Sequence, residues 1–209
     1  MKEKIKKVLP NIITLSRVIA LVIGFILFLK EKIVMSICLY IYGSISDALD
    51  GYLARKWNAY TKLGGYLDAT SDKLYALSII VISVMYGNYL ILIVSILEII
   101  ISIINYLVIR KNGSAHTERV GKFKMTLEFI LLITSLIMIK IKHLWYLYVV
   151  MLILTVYFQL QCINAYINQK NNKKQGLEID YTGKSFKEKS KLLLYEFKYY
   201  LMHPVKIIK

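Results

Sequence analysis

The sequence predicts an all-α integral membrane protein with six transmembrane helices, both termini inside, and a basic cytoplasmic C-terminal tail. Three observations predict it. The 209 residues are 57% hydrophobic, more than a soluble domain of this length carries. Apolar runs recur at Ile12–Phe28, Ile33–Ile45, Leu74–Tyr86, Tyr89–Ile109, Phe129–Ile139 and Leu144–Ile163. Several extend through small neighbours toward the length that crosses a hydrocarbon core. With both termini inside, the cytoplasmic segments hold 22 of the 28 Lys and Arg and the external loops four, as the positive-inside rule requires. The net charge of +15 is spread over loops and tail, which fits anionic lipid headgroups rather than nucleic acid.

The first apolar run follows the basic stretch Lys2–Lys7, as in a secretory leader, but it lacks a small-x-small cleavage site and contains Arg17. It reads as a retained helix. Pro10 stands where that helix enters the membrane, a position proline tolerates, and Asn11, Thr14 and Arg17 recur every three residues after it. An arginine this far into a membrane helix faces a protein interior or an aqueous cavity, or else snorkels to the headgroups. The second and third helices are expected to continue past the membrane surface. Cys38 and Cys162 fall in apolar runs without metal spacing and read as small buried hydrophobes. The membrane domain is expected over 1–168, ending near the Asn/Lys-rich Asn168–Gln175, with a basic tail over 169–209. Within the tail, 184–202 mixes Phe186, Leu192, Leu193, Leu194, Phe197 and Leu201 with lysines and precedes Pro204. This is an amphipathic helix on the inner leaflet or a partly ordered basic tail.

The chemistry concentrates in Asp47-Ala48-Leu49-Asp50-Gly51-Tyr52-Leu53-Ala54-Arg55 and Gly64-Gly65-Tyr66-Leu67-Asp68-Ala69-Thr70-Ser71-Asp72. At about 100° per residue, Asp47 and Asp50 lie about 60° apart on one helix, and Asp68 and Asp72 about 40° apart on the next. Four carboxylates pointed into one volume repel strongly without cations. Hard oxygen donors suit Mg²⁺ or Mn²⁺, and two such ions can clamp phosphate oxygens during an in-line displacement. Gly51, Ala48 and Ala54 keep the helix surface low beside the carboxylates, Arg55 offers a fork for phosphate oxygens, and Gly64 and Gly65 let the third helix start close to a ligand. The placement of basic loops puts this site at the cytoplasmic face.

The residues Asp47, Asp50, Gly51, Ala54, Arg55, Gly64, Asp68 and Asp72 match the signature D-x2-D-G-x2-A-R-x8-G-x3-D-x3-D without a departure. The chain resembles the CDP-alcohol phosphatidyltransferase family of integral membrane enzymes. The likeness includes the six-helix plan and the Pro10–Arg17 opening, and covers about residues 8–168. It implies two divalent ions, Mg²⁺ or Mn²⁺, with Asp47 and Asp68 bridging them, Asp50 completing the first site, and Asp72 ligating the second and serving as general base. It implies that Gly51, Ala54, Arg55 and Thr61 hold the CDP moiety, with Asn11 and Thr14 contributing. The implied reaction is attack by an acceptor hydroxyl on the lipid-linked phosphorus of CDP-diacylglycerol, releasing CMP, in a multi-pass protein of the cell membrane. A homodimer is also implied.

The signature leaves the acceptor alcohol open. Arg110, Arg119, Lys122 and Lys124 gather in the second cytoplasmic loop, as a pocket for a phosphorylated acceptor needs and as topology alone also predicts. Gly121–Thr126 is similar to the G-K-x-K-T stretch of the family's phosphatidylglycerophosphate synthases, with Met125 inserted before the threonine, and Asp72-Lys73-Leu74 to the D-K-L of those enzymes and of the cardiolipin synthases. The chain departs from them at Asp68-Ala69-Thr70-Ser71-Asp72, where they carry D-P-L-A-D, and at Leu97-Glu98, where they carry Arg-Glu. Glycerol 3-phosphate is the expected acceptor; phosphatidylglycerol and inositol phosphate are the alternatives. His116 reads as a loop or headgroup contact. Two other classes compete: a cation transporter using the aspartates as its ion site, which leaves Gly51, Ala54 and Arg55 unexplained, and a lipid-binding member without activity, which the intact signature opposes.

Overall fold

A computed structural model describes residues 2–57, 59, 62–112, 119–171 and 185–204. Six long helices follow one another: α1 (Lys2–Leu29), α2 (Ile33–Lys56), α3 (Lys62–Met85), α4 (Ile91–Asn112), α5 (Arg119–Lys140) and α6 (Trp145–Lys170), the last entered through a 3-10 turn at Lys142–Leu144; α7 (Phe186–Met202) closes the described chain. Helices are the expected outcome, since backbone groups in lipid must be satisfied within their own segment. Serine and threonine hydroxyls inside the apolar segments obey the same rule. Ser46 donates to the Gly43 carbonyl at 2.8 Å and Thr155 to the Met151 carbonyl at 2.7 Å. Just past the end of α3 stands Gly87, whose φ of 81° is a left-handed conformation that glycine adopts without strain.

Among the described residues, four segments are long and apolar enough to cross a membrane: Leu9–Leu29, Ile33–Ala54, Ile91–Lys111 and Lys142–Lys170. The protein is a multi-pass membrane protein. The six expected spans exceed these four, because α3 and α5 are apolar only in their later parts. Asp68, Asp72 and Lys73 occupy the earlier part of α3, and Arg119, Lys122, Lys124 and Glu128 that of α5. Both α2 and α3 run on as helix through the aspartate motif.

The chain divides into two compact units. The first holds Met1–Tyr89 and Leu132–Tyr148. Here α1 packs on α2 and α3 over a core of Leu21, Phe28, Tyr40, Tyr75, Ile79 and Ile82. The contact of α1 with α2 is close at Gly24: Ser36 donates to its carbonyl at 2.8 Å, and a Cβ there would meet the Tyr40 ring at 3.3 Å. Small residues permit such approach between membrane helices. The opposite side of α1 presents Ile12, Leu15, Ile19, Val22 and Ile26, each about half exposed, at the spacing of one helix face. Cys38 is exposed, in contrast to the buried position expected. It lies on a stretch of α2 where Val34, Met35, Ile41 and Tyr42 are also exposed, so an apolar residue can stand there without being covered by protein. Cys162 is buried as expected.

The second unit holds Leu90–Leu131 and Val149–Lys209. Its core joins Val108, Val120, Phe158, Cys162, Ala165 and Tyr200. The tail helix α7 is part of it. Phe197 stacks on Phe158 with ring centroids 5.3 Å apart, Gln161 donates to the Tyr200 carbonyl at 2.8 Å, and the Tyr157 hydroxyl reaches the Leu201 carbonyl at 3.0 Å. Those carbonyls belong to the last turn of α7, beyond which the helix offers no following turn to bond them. At the other end, Ser185 and Glu188 form a reciprocal capping box, the usual device for starting a helix.

Candidate active site

The first unit carries a buried charge cluster built from α1, α2 and α3. From α1, Thr14 and Arg17 point into it, with 4% and 2% of their surface exposed. The guanidinium of Arg17 bridges three carboxylates. One terminal nitrogen donates to Asp47 and, at 3.1 Å, to Asp72. The other donates to Asp68 at 2.8 Å and to the Ser71 hydroxyl. The fourth aspartate, Asp50, is buried and accepts from Thr14 at 2.6 Å. Asp47, Asp68 and Asp72 keep 41%, 50% and 50% of their side-chain surface exposed. The cluster is therefore anchored on a buried cation and open on its carboxylate side.

Why the chain folds this way locally follows from spacing. The three-residue repeat of α1 puts Thr14 and Arg17 on one face, and the three- and four-residue repeats of α2 and α3 do the same for the aspartates. An arginine among aspartates avoids the cost of an unpaired buried ion. Four carboxylates against one guanidinium still leave a negative excess. Asp47, Asp50 and Asp68 each offer an oxygen, and these oxygens lie within 4.8 Å of one another. Bonds of about 2.1 Å to Mg²⁺ place ligand oxygens some 3–4 Å apart, so a small contraction fits them to such an ion. The donor set is hard oxygen throughout, which suits Mg²⁺ or Mn²⁺.

Gly51 and Ala54 lie on α2, one and four residues beyond Asp50, and Asn11 lies on α1, each partly buried. Arg55 is on α2, but its side chain, like that of Ala48, is outside the described part of the structure, and Thr61 and His116 lie outside the described residues altogether.

The residues expected to meet an acceptor phosphate belong to the second unit. Arg110 is exposed in the last turn of α4, and Lys122 is exposed on α5. Arg119 begins α5 and lies 3.8 Å from the fully buried Glu196 of α7. Lys124 is buried and held by Glu98 at 2.6 and 2.7 Å, with Glu128 at 3.5 Å. Gln159 supports Glu98 from α6 at 3.4 Å while donating to the Val94 carbonyl at 3.1 Å. Ser71 beside Arg17, Glu98 and Gln159 beside Lys124, and Glu196 beside Arg119 are not evident as site residues from spacing along the chain. Ser71 alone carried a local signal, lying between Asp68 and Asp72 on α3.

Apolar spans carrying a half-open carboxylate cluster define a membrane protein whose Asp47, Asp50 and Asp68 are placed so that they could hold a cation. The model of the CDP-alcohol phosphatidyltransferase family matches residues 7–184, and the chain belongs to that family. It is an enzyme of phospholipid synthesis, a transferase with an alcohol acceptor. Over 134 residues it is 31% identical to the CDP-diacylglycerol--glycerol-3-phosphate 3-phosphatidyltransferase of Salmonella choleraesuis, covering 59% of this chain and 74% of that protein. It is 28% identical over 138 residues to the protein of the same name from Sodalis glossinidius, covering 61% and 76%. With that from Rickettsia bellii it shares 38% identity over 74 residues, covering 34% and 41%.

Proposed function

We propose that the enzyme transfers the phosphatidyl group of CDP-diacylglycerol to glycerol 3-phosphate. The acceptor oxygen forms a bond to the lipid-linked phosphorus, the bond from that phosphorus to CMP breaks, and CMP leaves. The observation that carries this reading is the convergence of Asp47, Asp50 and Asp68 oxygens within 4.8 Å, in a chain of this family. Asp47 and Asp68 would hold both of two divalent ions, Asp50 the first and Asp72 the second. When bound, such ions supply positive charge to the phosphate oxygens and to the departing CMP.

The remaining work falls to the chain's own groups. The Asp72 carboxylate takes the proton of the acceptor hydroxyl, a poor nucleophile until deprotonated. Gly51 and Ala54 leave α2 low enough for the nucleotide to approach, and Asn11, Thr14, Arg55 and Thr61 hold CDP. Arg110, Arg119 and Lys122 attract the acceptor phosphate; Lys124 joins them only by leaving Glu98 and Glu128. The acceptor assignment rests on this basic set and on the names of the relatives. The membrane plan is six spans with both termini inside, a membrane domain over 1–168, a tail over 169–209, and the site facing the cytoplasm. Exposed Phe186 and Leu194, among the lysines of α7, support contact of the tail helix with the inner leaflet. A homodimer completes the proposal.

The test is CMP release by purified protein from CDP-diacylglycerol with Mg²⁺ or Mn²⁺ and one acceptor at a time: glycerol 3-phosphate, inositol 1-phosphate, inositol, serine or phosphatidylglycerol. Turnover with glycerol 3-phosphate, and its loss in Asp72→Asn, is expected. Turnover with serine alone would overturn the phosphate-pocket assignment, and full activity in Asp72→Asn would overturn the base. Metal flux into sealed vesicles without nucleotide would favour a transporter.

A further inference from the structure

The contacts of Arg17 divide the four aspartates into two overlapping sets. Asp47, Asp50 and Asp68 bring one oxygen each within 4.8 Å of one another. Asp47, Asp68 and Asp72 are the three carboxylates that the Arg17 guanidinium bridges. The second set is the one assigned above to the second divalent ion. We propose that Arg17 is a tethered cation standing in for that ion, and that the site fills in order. A first ion enters on Asp47, Asp50 and Asp68 with Arg17 in place, and a second enters on Asp47, Asp68 and Asp72 only as the guanidinium withdraws. The inference rests on the two-ion reading of the cluster.

Charge decides the order. Four carboxylates and one guanidinium carry a net of three negative charges. A first divalent ion reduces that to one while leaving every Arg17 contact intact. A second divalent ion with Arg17 still present makes the cluster positive, and at such separations like charges repel strongly. The second ion must therefore compete with a group that is always charged and already fixed in place. Its affinity is lowered by the free energy of moving that group, a coupling between the two cations.

Geometry favours displacement over permanent sharing. The Nε–H of Arg17 is buried without a hydrogen-bond partner, so the carboxylates do not satisfy the guanidinium fully. The three partner carboxylates are about half exposed, so an ion from solution can reach them while Arg17 is in place. A released guanidinium is a planar fork matched to phosphate oxygens, and it stays on α1 one turn beyond Thr14. Withdrawal of Arg17 thus places a phosphate-binding group beside the site at the moment the second ion arrives.

The experiment is Mn²⁺ titration of the full chain in detergent, with free Mn²⁺ counted by electron paramagnetic resonance and coupled Mn²⁺ pairs read from line broadening. Wild type, Arg17→Met and Arg17→Lys are compared, and melting temperatures are taken in EDTA and in Mn²⁺. Wild type is expected to bind one ion more tightly than the second by on the order of tenfold or more. In Arg17→Met the gap between the two affinities should narrow by on the order of tenfold, leaving only the mutual repulsion of the two ions, and the protein should melt lower than wild type in EDTA but gain more from Mn²⁺. Arg17→Lys, which keeps the charge, should keep unequal sites. Two equal sites in wild type, or an Arg17→Met variant with the wild-type ratio, would overturn the inference and leave the two-ion reading standing. Failure of wild type and variants alike to bind Mn²⁺ would overturn the two-ion reading and the inference with it.

Discussion

The two units each bury a cation among carboxylates, and the two clusters are built on opposite plans. In the first, Arg17 is buried while three of its four neighbouring aspartates are open by 41–50%. In the second, Lys124 meets two glutamates, Glu98 and Glu128, and Gln159 caps the pair with a hydrogen bond to Glu98. The first cluster carries more negative charge than its cation offsets and exposes the excess. The second is closer to balance and mostly closed. An under-neutralised, open cluster is suited to take up ions from solution, whereas a nearly neutral, hydrogen-bonded one is suited to hold helices together.

The sharpest way to break this contrast is Asp68→Asn. That carboxylate belongs to both of the proposed ion sets, so CMP release should fall by about a thousandfold or more, while the melting temperature in EDTA changes little because negative repulsion is relieved. Chelation should produce the same loss reversibly, measured by readdition of Mg²⁺. Next comes Lys124→Met, which strands Glu98 and Glu128. It should lower stability by about 2–3 kcal/mol, below the cost for a fully buried pair because Glu98 is partly exposed. The companion Glu98→Gln change in the same protein should restore most of it; if the single variant melts with wild type, the second cluster is not structural. A smaller effect is expected from Phe197→Ala. It removes the stack on Phe158 and should speed hydrogen exchange across 186–202 without altering Mn²⁺ binding. Smallest is Ser185→Ala, which removes the capping box of α7 at about 1 kcal/mol, visible as fraying of the first turn.

The aspartate cluster was legible in the sequence because local periodicity carries it. Three- and four-residue spacings put each pair on one helix face, and a short connection returns the next helix. The depth of Arg17 in an apolar helix left an interior position and snorkelling to the headgroups open, and its burial decides for the interior. Its partners were not legible, because they lie 30 to 55 residues away, and no spacing rule reports which faces of separate helices meet. The same limit hid the Lys124–Glu98 pair, 26 residues apart. Read along the chain, Lys124 looks like one more loop cation; only packing shows it buried. Composition separates apolar from polar stretches well, but α3 and α5 change character halfway along, and an apolar run of eleven to thirteen residues does not by itself state whether the helix crosses. For α7 the sequence left helix and loose tail open, and the aromatic contacts with α6 that hold it have no sequence signature.

The tight contact at Gly24 has a consequence far from where it occurs. Arg17 lies seven residues earlier on the same helix, two turns or about 10 Å away, and a rigid helix passes a displacement at one end to the other. With Ser36 bonded to the Gly24 carbonyl and the Tyr40 ring only 3.3 Å from where a Cβ would stand, α1 is aligned on α2 much as a keyed shaft is aligned in its bearing. The tuning of a charged site can thus be inherited from a machining tolerance in an apolar contact. Where the Tyr40 ring does not yield by the few tenths of an ångström that an added methyl group asks for, α1 moves instead, and the proposed balance between Arg17 and a metal ion shifts without a change in any carboxylate.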